Sequence, residues 1–126
     1  MNLKHGSALS EQVIGLAIEV HRQLGPGLLE SAYEECLCYE LGRAGIPHSR
    51  QVPLAVVYKD IRLDCSYRMD IVADGQLILE IKAVDRLMPI HEAQMLTYLR
   101  LSGHKVGLLM NFNVVALKDG LRRFVF

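Results

Sequence analysis

The sequence has no excess of charge of either sign: 14 Lys and Arg balance 14 Asp and Glu, for a formal net charge of +0 over 126 residues. A chain that holds nucleic acid by bulk charge usually has a basic excess, so any such contact here needs a local patch, a metal ion or a partner chain. No run approaches the ~18 apolar residues of a membrane span, and residues 1–10 lack an apolar stretch of signal-peptide length. The expectation is a cytoplasmic, reducing location without membrane contact. Three cysteines, Cys36, Cys38 and Cys65, make an odd count with no Cys-x-x-Cys pair, which weighs against a disulfide framework and a structural zinc site. All three read as small apolar packing residues. Gly25-Pro26-Gly27 has no third glycine at dinucleotide-binding spacing, there is no P-loop, and no nucleophile elbow surrounds a serine or cysteine. Repeats, linkers and low-complexity stretches are also missing.

What is present is a core. Hydrophobic residues make up 51% of the chain, which excludes the low-hydrophobicity, high-charge composition of disorder and suits a single domain over 1–126. From Leu9 to Leu24 apolar residues recur at three- and four-residue steps, which predicts an amphipathic helix. Gly25-Pro26-Gly27 breaks it. A second helix is predicted from about Leu28 to Ala44, with Tyr33, Leu37 and Leu41 on one stripe and Gly45 as its C-terminal cap. Beyond Pro47 the pattern becomes that of strands: Val52–Tyr58, then Ile61–Val72, then Gln76–Val84, with Lys59-Asp60 and Asp74-Gly75 as turns. Pro89 opens a helix reaching about Leu101, Val106–Asn111 is an apolar strand, and Arg122–Phe126 a short last one. Helices flanking a central mixed sheet follow from this order.

Glu80-Ile81-Lys82 is the most informative tripeptide. Strand side chains alternate, so Glu80 and Lys82 share one face and Ile81 takes the other. An acid and a base inside a run of Leu, Ile and Val must pair, bind an ion or open into a cleft, because leaving them unpaired in the interior is costly. Asp70, before the Asp74-Gly75 turn, can supply a second acid if the loop has an odd length or a bulge intervenes. A three-residue loop Ala73-Asp74-Gly75 would pair Val72 with Gln76, oppose Asp70 to Ile78, and make it a same-face diagonal neighbour of Glu80. A two-residue loop would put the acids on opposite faces. In the odd register Asp70 and Glu80 offer hard oxygen ligands for Mg²⁺, and Lys82 would orient the attacking water or offset transition-state charge. The competing account is a structural salt bridge of Glu80 with Lys82 or Arg68.

Asp70 followed by Glu80-Ile81-Lys82 resembles the (P)D…(D/E)-x-K signature of the PD-(D/E)xK nuclease superfamily, and Gly27-Leu28-Leu29-Glu30-Ser31-Ala32-Tyr33 resembles the motif of its bacterial GxxExxY branch. The resemblance extends from about Leu9 to Phe126, through Tyr67–Val72, His91-Glu92-Ala93-Gln94 and Gly107–Phe112. It implies an α/β fold with a restriction-endonuclease-like α-β-β-β-α-β core, a central mixed sheet flanked by helices, and an extra N-terminal helix. It also implies Asp70 and Glu80 as metal ligands, the backbone carbonyl of Ile81 completing the set, Lys82 as the catalytic lysine, and Glu30 as the acid of the first core helix. Tyr33 reads as core or support. Gln94-Met95-Leu96-Thr97-Tyr98 resembles the Gln-x-x-x-Tyr element of RecB-like nucleases, with both residues on one helix face; the plainer account is a solvated Gln and a packed Tyr. His91 reads as a surface residue. Met69, where the pattern often has proline, is the one departure.

The activity implied is a nuclease using Mg²⁺ or Mn²⁺ on nucleic acid, DNA ahead of RNA. The alternative is a nuclease-fold binding module without catalysis, for nucleic acid or protein, which zero net charge and small size favour. A homodimer or a protein partner that delivers the domain to nucleic acid is the third arrangement. Arg43, His48, Arg50, Arg68, Arg86, Lys105, Arg122 and Arg123 are scattered in sequence, and only clustering near Asp70 and Glu80 would make them a phosphate groove.

Overall fold

The computed structural model describes residues 3–126, and the side chains of all of these except residues 3–7, 65 and 66. Helices α1 (Leu3–Leu24) and α2 (Glu30–Arg43) come first, then strands β1 (His48–Tyr58), β2 (Ile61–Ala73) and β3 (Leu77–Lys82), helix α3 (Pro89–Ser102), strand β4 (Val106–Asn111), a single 3₁₀ turn, and strand β5 (Leu121–Val125). The five strands form one sheet in the order β1-β2-β3-β4-β5. Only β3 and β4 run parallel, and the remaining neighbours are antiparallel. This is the α/β architecture expected from the sequence, with α1 as the added helix.

The helix between β3 and β4 is what makes that pair parallel, since parallel neighbours need a crossover. Alternation along the central strands then sorts the core into two layers. Ile71, Leu77, Leu79, Ile81, Leu108 and Met110 pack with α1 and α2, while Val72, Ile78 and Leu109 pack with Met95, Tyr98 and Leu99 of α3. α3 lies close on β4: a Cβ on Gly107 would collide with the Met95 side chain. Gly45, at φ 72, ends α2 as expected. Its N–H bonds to the Gly42 carbonyl at 3.1 Å and that of Ile46 reaches back to Leu41 at 3.0 Å, the pair of bonds that satisfies free helix carbonyls.

Tyr33 is fully buried and stacks on Phe112 with centroids 4.6 Å apart. Its hydroxyl donates to the Gly25 carbonyl at 2.7 Å and accepts from the Leu28 N–H at 3.1 Å, so it ties the Gly25-Pro26-Gly27 break to the core. Cys38 is buried and Cys36 half-buried, and both pack in the α1–α2 layer. Burial pushes the Cys38 thiol up to about 11, as for an inert packing thiol. The packing expected of Cys65 lies outside the described side chains. Among the described residues no helix is long and apolar enough to cross a membrane.

Candidate active site

The β2–β3 ladder runs Ala73↔Leu77, Val72↔Ile78, Ile71↔Leu79, and stops. The connecting loop therefore has three residues, the odd length that puts Asp70 and Glu80 on one face. It is Asp74-Gly75-Gln76, however, not Ala73-Asp74-Gly75. Asp74 and Gly75 both take positive φ, 52 and 65; Asp tolerates that conformation better than most residues. The Gln76 N–H closes the turn on the Ala73 carbonyl at 3.0 Å, so Ala73 stays in the strand. Continued by one residue, this register puts Asp70 directly opposite Glu80, not diagonal to it.

At that point side chains replace the ladder. The Asp70 N–H donates to Glu80 Oε2 at 2.8 Å, and the Ile81 N–H donates to Asp70 Oδ2 at 2.9 Å. Each carboxylate thus fills the fork where β2 and β3 part, and accepts a backbone N–H of the other strand. In an extended strand a residue's N–H and C=O point to the same side, so the Ile81 carbonyl is turned to the Asp70 side as well.

Glu80 is only 3% exposed. Burial and then the negative charge of Asp70 push its carboxyl up to about 8, against partial relief from the Asp70 N–H and Lys82. Burial also holds Asp70 above its ordinary value, with the Ile81 N–H opposing. Lys82 shares the face of Glu80, and its charge reaches both acids. Among the described residues no ion pair within 4.0 Å joins Glu80 to Lys82 or to Arg68. Arg68 instead donates to the Gln51 carbonyl at 3.4 Å.

Glu30, in the first turn of α2, accepts the Ala83 N–H at 3.4 Å, beside Lys82. On α3, Gln94 Nε2 donates to the Tyr98 hydroxyl at 3.2 Å. Burial, followed by the nearby charges of Glu80 and Asp70, raises the Tyr98 phenol above its ordinary value. Tyr98 therefore lies near the carboxylates, with Gln94 bonded to its hydroxyl. His91 lies at the start of α3, where its Nδ1 accepts the Met88 N–H at 2.9 Å.

A family model described as the PD-(D/E)XK nuclease superfamily matches residues 7–124. The chain belongs to the PD-(D/E)XK nuclease superfamily. No curated protein and no solved structure gives a significant match. Nucleases of the superfamily typically use divalent metals, and the donor set here fits one. A buried and a half-buried carboxylate that repel each other, the buried one pushed far above its ordinary value, form an oxygen-only pair for a hard dication. A cation between them would offset the cost that burial and repulsion impose. Among the described residues no three His, Cys, Asp or Glu side chains converge as a closed cage, and Glu30 rests on the Ala83 amide.

Two buried polar residues close to these groups, Glu34 and Asn111, carried no sequence assignment. Glu34, one helical turn after Glu30, is 7% exposed and accepts Arg50 Nε at 3.0 Å and Gln51 Nε2 at 3.1 Å. Its spacing from Glu30 was readable as one helix face, but its strand partners were not. Asn111, opposite Lys82 in the β3–β4 register and 1% exposed, accepts the Val84 N–H and donates to the Val84 carbonyl, each at 3.0 Å. It fixes the chain just after Lys82. An amide closing the apolar run Val106–Asn111 was the signal for it.

Proposed function

We propose that this superfamily member is a Mg²⁺-dependent nuclease of the GxxExxY branch, Mn²⁺ serving in its place, that hydrolyses phosphodiester bonds in nucleic acid, with DNA the first substrate to try. The observation that carries the reading is the meeting of Asp70 and Glu80 in the β2–β3 fork, with Lys82 one alternation further along the same face. Asp70, Glu80 and the Ile81 carbonyl would hold the metal, with Glu30 at its margin. When bound, the cation would neutralise charge on the phosphate and ease ionisation of a water. The Lys82 ammonium would orient that water and stabilise negative charge on the phosphate oxygens. Gln94, braced by Tyr98, would hold the substrate beside the carboxylates. A groove between the β1–β2 hairpin and α3, lined by Leu54, Tyr67 and Thr97, includes Gln94 and Tyr98 in its wall, where a substrate strand would lie.

Zero net charge favours a second reading, a binding module on the same fold. Of the basic residues, Arg68 lies two residues before Asp70, while Arg50 is paired to Glu34 and Glu35. Hydrolysis of labelled single-stranded, duplex and branched DNA and of RNA, with Mg²⁺, Mn²⁺ or EDTA, separates the two. Metal-dependent cleavage that disappears in Lys82→Ala is expected. No cleavage of any substrate, or equal cleavage by the variant, would sink the enzyme reading in favour of the module.

A further inference from the structure

We propose that Glu34, clamped by Arg50 and Gln51, is a positioning residue that sets the β2–β3 fork in which the Asp70 and Glu80 carboxylates meet. This rests on the metal-site reading above, but its geometric half stands without it.

Arg50 and Gln51 are consecutive residues of β1, and consecutive strand side chains point to opposite faces. Here both reach one carboxylate: Arg50 Nε lies 3.0 Å from Glu34 Oε2 and Gln51 Nε2 lies 3.1 Å from each oxygen. That convergence requires a break in the strand, and Gln51 supplies it, with φ at 50. The left-handed region is uncommon for a residue with a side chain and persists only where its surroundings enforce it. The enforcing group is an acid on α2 that is itself buried, and so depends on both of its donors.

The break falls beside the site. β1 pairs with β2 at Arg50↔Ile71 and at Val52↔Met69, and the Gln51–Asp70 pair between them is skipped. On its other side β2 pairs with β3 no further than Ile71↔Leu79. Asp70 therefore belongs to no backbone pair on either side, opposite the left-handed Gln51 of β1. β1 stays paired with β2 before and after Gln51, so the clamp on Gln51 acts on β2 at Asp70. The β2–β3 ladder ends beside it, where the two carboxylates take over the backbone N–H groups. Arg68, on the Gln51 carbonyl at 3.4 Å, holds the kink from the β2 side.

The test reads the fork directly. Amide hydrogen exchange of Asp70 and Ile81 is followed in the metal-free protein, with Leu79 as an internal control, in wild type, Glu34→Ala and Glu34→Gln. Mn²⁺ affinity is measured on the same proteins. Glu34→Ala is expected to speed exchange at Asp70 and Ile81 by about tenfold relative to Leu79, as a local opening. It should also weaken Mn²⁺ binding by roughly 10- to 100-fold, the range for partners that orient metal ligands. Glu34→Gln, which can still take hydrogen bonds from Arg50 and Gln51, should recover most of both. Gln51→Ala, which removes no charge, should repeat the alanine result and serves if Glu34→Ala fails to fold. Unchanged exchange at Asp70 and Ile81 overturns the proposal, as does a Glu34→Gln that binds Mn²⁺ as poorly as Glu34→Ala while leaving exchange intact, since that marks charge or ligation and not position. A wild type that binds no Mn²⁺ defeats the metal-site reading alone, and the exchange result still decides the role of Glu34.

Discussion

Leu77, Leu79 and Ile81 leave β3 towards α1 and α2, where each is at most 1% exposed among apolar neighbours. Ile78, Glu80 and Lys82 leave the same six residues towards α3, and only Ile78 belongs to a core. The two faces share one backbone but not one energetic sign. The first supplies burial worth about 25 cal/mol per Å² of apolar surface. The second holds a carboxyl pushed up to about 8 by burial and by Asp70, a state that disfavours the fold while the carboxyl is charged. The dry face anchors the strand firmly enough for the other to keep two acids together, which is how strained groups persist at functional sites. Mutations on the two faces should therefore divide into those that cost stability and those that cost chemistry.

The largest expected effect is on the dry face. Leu79→Ala leaves a cavity between the sheet and the two helices and should lower unfolding free energy by about 2–5 kcal/mol, read as a lower denaturation midpoint in urea. The nuclease activity proposed above should persist per folded molecule. Next comes Lys82→Ala: a loss of roughly 10²–10³-fold in the metal-dependent rate, the usual cost of removing one preorganised electrostatic group, with the midpoint unchanged. A Leu79→Ala protein that stays folded but inactive, or a Lys82→Ala protein that unfolds, would erase the division.

Glu80 sharpens the comparison through pH. Its folded carboxyl titrates near 8 against an ordinary value of 4.5, so between those pH values the folded chain holds more protons than the unfolded chain. Stability of the metal-free protein must then fall as pH rises through that window. Glu80→Gln removes the titration. At about 1.4 kcal/mol per pKa unit, the variant should be more stable than wild type at pH 8 by roughly 2–4 kcal/mol, and near parity at pH 4.5. Mg²⁺ should stabilise the wild type at pH 8 and leave the variant nearly unmoved. Equal stability of the two proteins across the range would mean that Glu80 sits in a wetter, better-compensated place.

How much of this was legible follows from the range of each interaction. Helix and strand identities came from local periodicity. Val106–Asn111 matches the observed strand, and the Gly45 cap was readable because its bonds span only a few residues. The shared face of Asp70 and Glu80 was readable as a parity argument about loop length, but the register was not. Whether Ala73 or Gln76 joins the loop depends on Asp74 accepting φ 52, which Asp tolerates but does not require. Glu34 escaped for a related reason. Nothing local marks Gln51 as left-handed, and only the tertiary meeting of α2 with β1 brings Arg50 and Gln51 to one carboxylate.

Gln94, on α3, should give the smallest effect. Its amide donates to the Tyr98 hydroxyl at 3.2 Å, and Tyr98 is nearly buried, with its ring in the α3-side core. Tyr98 thus packs in the core as well as bracing the amide, whereas Gln94 is half-buried and outside the core. Gln94→Ala should leave the denaturation midpoint within about 0.5 kcal/mol, as for a partly exposed side chain outside the core. It should lower the cleavage rate by roughly tenfold, the equivalent of one hydrogen bond of about 1.4 kcal/mol. Tyr98→Phe keeps the ring and releases the amide, so it should reproduce the rate loss of Gln94→Ala, and the double variant should add little beyond either one. Additive losses would show instead that the two residues act on the substrate separately, and that their shared helix face orients neither of them.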